Sequence, residues 1–127
     1  MVYLIEDDES VRKALQRLLR SAAIETRVFA SAEEFLQGGE IDQGACLIVD
    51  IQMQGLTGFE LQEELRSKKI WVPTIVISAL DDAETRERAR KLGAKAFFRK
   101  PVDGQALIDS IHWAMGDTLN SACPSDS

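Results

Sequence analysis

The sequence predicts an α/β domain in which one parallel sheet lies between two layers of helices. Three observations predict it. Short apolar runs of strand length recur along the chain: Val2-Tyr3-Leu4-Ile5, Cys46-Leu47-Ile48-Val49 and Thr74-Ile75-Val76-Ile77. Such continuous runs suit strands buried on both faces. Segments with apolar residues at helical spacing separate them. Finally, the apolar runs lead directly into chemically capable residues: Glu6-Asp7, Asp50 and Ser78, with Lys100 closing a fifth run.

Taken in order, residues 2–5 form the first strand and Glu6-Asp7-Asp8 an acidic loop. Ser10 is a candidate helix cap, and Val11, Ala14, Leu15, Leu18, Leu19 and Ala22 repeat at helical spacing behind it. Residues 24–29 read as a second strand. Ser31-Ala32-Glu33-Glu34 has the capping-box pattern, so a short helix comes next with Phe35 and Leu36 inward, ended by Gly38-Gly39. The central strand is residues 46–50. A loop over 51–57 leads to a helix opened by Gly58, with Phe59, Leu61 and Leu65 inward. Trp71-Val72-Pro73 begins the fourth strand, where proline is tolerated at a strand start, and Ser78 ends it. Asp81 followed by Glu84 suggests a capped helix whose apolar stripe is thin: Ala83, Ala89 and Leu92 among Arg86, Glu87, Arg88, Arg90 and Lys91. Gly93 stops it. Ala96-Phe97-Phe98-Arg99 is the fifth strand, and a last helix runs over about 105–115. Residues 117–127 are small and polar, a tail or the start of a linker, which leaves one domain over residues 1–116.

Strand and helix thus alternate five times, the pattern of a parallel sheet with helices on both faces. Right-handed crossovers leave few topologies, and the expected one is the flavodoxin-like (βα)5 three-layer sandwich with strand order 2-1-3-4-5. The first and third strands then flank the switch point of that order, where ligands bind at the carboxyl ends of the strands.

Composition limits the partners. With 127 residues, 45% hydrophobic and 28% charged, the chain suits a single globular domain. A net charge of −6 argues against direct nucleic acid binding, which needs a basic patch. No apolar run reaches the roughly 18 residues of a membrane span, so no membrane partner is expected. Cys46 in an apolar run and Cys123 in the polar tail form neither a disulfide framework nor a zinc spacing. With a strand beginning almost at the N-terminus, a cytoplasmic location is expected.

In that topology Glu6, Asp7, Asp50, Ser78 and Lys100 converge. Carboxylates gathered this closely repel one another unless a cation lies among them, and an all-oxygen site suits a hard divalent ion such as Mg²⁺. A carboxylate can also act as a nucleophile toward phosphorus. An ammonium and a hydroxyl beside it match the charge that spreads over a transferred phosphoryl group.

From Val2 to Met115 the chain resembles the receiver domain of bacterial two-component response regulators. The residues that carry the likeness are Glu6-Asp7, Asp50 with Met53 and Gly58 behind it, Ser78-Ala79 and Lys100-Pro101. The segments Glu9–Leu15 and Ser31–Leu36 are most similar to the FixJ-type subgroup. The resemblance implies that Asp50 is the phosphoacceptor. It implies that Asp7 binds Mg²⁺ directly, Glu6 through water and Gln52 through its main-chain carbonyl. Ser78 would bond the phosphoryl group and move on activation, Lys100 would pair with that group, Phe97 would be the switching aromatic, and Lys100-Pro101 would be a cis peptide. Leu80 and Gln52 hold positions expected to tune dephosphorylation. Gln54 stands where most relatives have proline, and Val102 where phenylalanine is common.

The implied partner is a sensor histidine kinase. Homodimerisation would use the fourth helix, fifth strand and fifth helix, and any control of transcription would need a DNA-binding domain elsewhere in the full-length protein. Such a protein catalyses its own phosphorylation and dephosphorylation without being an enzyme with a small-molecule product. The alternative is a receiver-like interaction module working without phosphorylation; the intact set Asp7, Asp50 and Lys100 argues against it. A phosphatase with an aspartate nucleophile would want a second acid two positions on, where Gln52 stands. A flavin mononucleotide binder would want hydroxyls after the first strand, where this chain has carboxylates.

Overall fold

The computed structural model describes residues 1–38, 41, 44–52, 55 and 57–115. Ten elements alternate: β1 (Val2–Ile5), α1 (Glu9–Ser21), β2 (Thr26–Phe29), α2 (Ala32–Gln37), β3 (Cys46–Asp50), α3 (Gly58–Ser67), β4 (Thr74–Ser78), α4 (Ala83–Lys91), β5 (Ala94–Arg99) and α5 (Gly104–Ala114). The strands form one parallel sheet in the order β2-β1-β3-β4-β5, the flavodoxin-like order expected from the sequence.

Burial is set by that order. Every residue of β1, β3 and β4 is buried, whereas the edge strands β2 and β5 are partly exposed. Alternate side chains of the central strands enter opposite cores. Tyr3, Ile5, Leu47, Val49 and Val76 join Phe35, Leu61, Leu65 and Ala89 of α2, α3 and α4. Val2, Leu4, Cys46, Ile48, Ile75 and Ile77 join Leu15, Leu19, Leu107 and Ile111 of α1 and α5. Val102 packs against this second core, so the smaller side chain still anchors the approach to α5.

Helix ends show where local patterns gave way to geometry. Asp8 caps α1, accepting from Val11 N at 3.2 Å, and Ser10, the expected cap, is already helical. Asp82 caps α4 through Thr85, and Asp81 pairs with Arg86 instead of capping. Ser31 caps α2 as expected, but the Glu34 carboxylate reaches past it to Ala30 N at 3.0 Å. A full capping box occurs at α3, between Thr57 and Glu60. Lys100-Pro101 is cis. β4 begins at Thr74 rather than at Trp71, whose side chain is 76% exposed. Gly39, Met53, Gln54 and residues 116–127 lie outside the described residues.

Candidate functional site

The carboxyl ends of β1, β3, β4 and β5 place their terminal residues in one group. Glu6 comes directly after β1 and is fully buried; Asp7 beside it is exposed. Asp50 closes β3 at 2% exposure, Ser78 closes β4 with none, and Lys100 comes directly after β5. One carboxylate oxygen each from Glu6, Asp7 and Asp50 lies within 4.8 Å of the others.

Lys100 crosses this acidic group. Its Nζ lies 2.7 Å from Asp50 Oδ2 and 2.9 Å from Glu6 Oε1. The other Asp50 oxygen, Oδ1, accepts from Gln52 N at 2.8 Å. Asp50 is thus held from both sides. Glu6 Oε2 accepts from Asp8 N at 3.1 Å, and Arg12 Nη1 donates to the Glu6 main-chain oxygen at 2.9 Å, fixing the end of β1. Ser78 Oγ accepts from Leu80 N at 2.9 Å, and the Ser78 carbonyl accepts from Lys100 N at 2.8 Å, which ties the ends of β4 and β5 together.

The electrostatics are those of a carboxylate site short of positive charge. Burial pushes the Glu6 carboxyl up to about 7; the Lys100 hydrogen bond opposes the rise and the charge of Asp50 adds to it. Burial would lower the Lys100 ammonium, but its hydrogen bonds and charge contacts with Asp50 and Glu6 raise it overall. Glu6 Oε1 is buried and faces the Lys100 ammonium at 2.9 Å, a cation it shares with Asp50. A buried oxygen of that kind, beside two further carboxylates, fits a hard oxygen-seeking cation.

Sequence reasoning found the residues that end the strands and missed those that brace them. Arg12 of α1 and Asp8, the cap of that helix, support Glu6, contacts that no local motif announces. Gly58 was legible as a helix opener, but its closeness was not: a Cβ there would lie 2.8 Å from the Asp50 main-chain oxygen and 2.8 Å from Ile51 Cα. The half-buried Phe97 sits on β5 with the Arg86 guanidinium 4.8 Å from its ring centroid.

Residues 2–112 match the response regulator receiver domain. The chain belongs to that family. This receiver domain is 39% identical over 111 residues to nodulation protein W of Bradyrhizobium diazoefficiens, covering 87% of this chain and 49% of that protein. It is 33% identical over 127 residues to the transcriptional regulatory protein FixJ of Azorhizobium caulinodans, covering 99% of this chain and 60% of that one. Among solved structures it superposes on FixJ-N with a TM-score of 0.84 at 32% identity, covering 92% of this chain and 94% of that chain. It superposes on the response regulator StyR with a TM-score of 0.83 at 40% identity, covering 95% and 60%. The FixJ-like character expected from the sequence is therefore shown. The receiver domain spans about half the length of several curated relatives it matches. Among the described residues no helix is long and apolar enough to cross a membrane.

Proposed function

We propose that the receiver domain is a phosphorylation-controlled switch whose phosphoacceptor is Asp50. The observation that carries this reading is the position of the Asp50 carboxylate. It is buried at the end of the central strand, beside the Lys100 ammonium and the Glu6 and Asp7 carboxylates. A carboxylate oxygen of Asp50 attacks the phosphorus of a phosphohistidine on a sensor kinase. The new O–P bond forms as the P–N bond breaks, and the imidazole leaves with its electron pair. Lys100 stabilises charge on the phosphoryl oxygens, and Ser78 supplies a hydroxyl to one of them.

Asp7, Asp50 and the Gln52 carbonyl are the direct ligands we assign to Mg²⁺, with Glu6 reaching it through water. When bound, the ion neutralises the acidic group and accepts a phosphoryl oxygen. The chain's own residues bring the acceptor, the ammonium and the hydroxyl together; hydrolysis of the acyl phosphate later resets the switch. We assign Phe97 to the switching position and the face made by α4, β5 and α5 to homodimerisation. Transcription is the output we assign if the full-length protein carries a DNA-binding domain, because FixJ and TdiR among its relatives are named transcriptional regulatory proteins. Phosphoryl uptake from a small phosphodonor tests the reading. It is expected in wild type, only with Mg²⁺, and not in Asp50→Asn; equal labelling of that variant would overturn it.

A further inference from the structure

α4 is held mostly by polar contacts. Ala89 is its buried residue, and its arginines do much of the rest. The Arg88 guanidinium lies 4.3 Å from the Phe59 ring centroid of α3, and Arg86 covers Phe97 of β5. Arg86 has a second partner: its Nε donates to the Asp81 carboxylate. Asp81 belongs to the loop that begins at Ser78, and Leu80 N of that loop donates to Ser78 Oγ. A continuous path therefore runs from Ser78 through the 78–82 loop and Asp81 to Arg86, and from Arg86 to the Phe97 ring. A groove of about 350 Å³ between α4 and β5, lined by Arg86, Ala89, Arg90, Ala94 and Phe97, borders that path.

We infer that Arg86 is a positioning residue, a latch that holds the Ser78 loop and the Phe97 ring together and opposes activation. The inference rests on the reading of Asp50 as phosphoacceptor. Because Leu80 N is bonded to Ser78 Oγ, a movement of Ser78 toward a phosphoryl group on Asp50 turns the loop with it. Asp81 then leaves Arg86, or drags it off the ring. An exposed ion pair and a cation–π contact are each weak, but both resist the same movement. A protein whose competent arrangement is less populated binds its activating ligand more weakly in proportion. Removing the latch therefore tightens binding of any phosphoryl analogue.

The test is a beryllofluoride titration at saturating Mg²⁺, on wild type, Arg86→Ala, Arg86→Lys, Asp81→Asn, the Asp81→Asn/Arg86→Ala double variant and Asp50→Asn. Arg86→Ala is expected to lower the apparent dissociation constant roughly three- to tenfold, leaving Mg²⁺ affinity without beryllofluoride unchanged. Arg86→Lys, which keeps the charge but loses the planar fork, should fall between. Asp81→Asn should tighten binding less, and the double variant should match Arg86→Ala alone, because both act on one latch. Unchanged or weakened binding in Arg86→Ala overturns the latch, as does strict additivity of the two substitutions. Wild type that binds no beryllofluoride, or Asp50→Asn that binds it equally, overturns the phosphoacceptor reading and the latch with it.

Discussion

Lys100 Nζ lies 2.7 Å from Asp50 Oδ2, and the same ammonium contacts Glu6 Oε1 at 2.9 Å. Both carboxylates are nearly sealed from water, while Lys100 keeps some exposure. Removing one member of a buried pair strands the other charge, which costs more than the pair itself contributes. Lys100→Met is therefore expected to destabilise the metal-free protein by roughly 2–3 kcal/mol near pH 8. In an Asp50→Asn background the same substitution should cost clearly less. Urea unfolding of the four proteins measures the difference, and an equal cost in both backgrounds would contradict the pairing.

Glu6 gives the metal-free protein a pH dependence of definite sign. Its carboxyl has an ordinary value of 4.5 when unfolded and about 7 when folded, raised chiefly by burial. The folded state then holds the extra proton between those values, so the Glu6 contribution is fully present below 4.5 and is lost as pH rises through about 7. The loss is on the order of 2–3 kcal/mol by pH 8. Lys100 is protonated across this window and does not add to it. Melting temperatures of wild type and Glu6→Gln from pH 5 to pH 8 should diverge, the variant gaining relative to wild type as pH rises. Mg²⁺ should stabilise wild type more at pH 8 than at pH 5, because the ion competes with the Glu6 proton.

These effects arise where the sequence was easiest to read. β1, β3 and β4 are buried on both faces, so their residues form unbroken apolar runs, and a parallel order gathers the residues at the carboxyl end of each run along one edge. Glu6, Asp50, Ser78 and Lys100 were legible for that reason. Some strand starts were not: Ile24 N is taken by Leu19 O at the end of α1, so β2 begins only at Thr26. Bracing from helices was not legible either. Arg12 on Glu6 and Arg86 on Phe97 depend on how a helix packs on the sheet, which local spacing does not specify.

The start of α1 gives a direct comparison of the sequence rule with the geometry. Ser10 fits the capping rule, yet Asp8 has the extended backbone and accepts from Val11 N. Asp8→Ala should cost about 1 kcal/mol, and Ser10→Ala, exposed and already within the helix, should stay within about 0.5 kcal/mol of wild type. Thermal unfolding of the two variants at constant Mg²⁺ distinguishes them; the reverse order would return the cap to Ser10.

Gly58 and Gly104 each open a helix, and only one of them lies against backbone. A Cβ at Gly58 would fall 2.8 Å from the Asp50 main-chain oxygen, 2.8 Å from Ile51 Cα and 2.9 Å from Ile51 Cγ2. A Cβ at Gly104 would meet Leu18 Cδ1 at 3.0 Å, the far end of a flexible side chain. Alanine favours a helix over glycine by up to about 1 kcal/mol, which offsets a contact that can yield and not one that cannot. Gly104→Ala should therefore remain within about 1 kcal/mol of wild type, whereas Gly58→Ala should lose about 1–3 kcal/mol. Relief of the Gly58 clash must move the end of β3, so Gly58→Ala should also weaken Mg²⁺ binding and slow phosphoryl uptake, with Gly104→Ala changing neither. Stability that falls in Gly58→Ala while Mg²⁺ affinity stays at the wild-type value would mean that α3 moves away from Asp50 instead, and that the close approach serves packing alone.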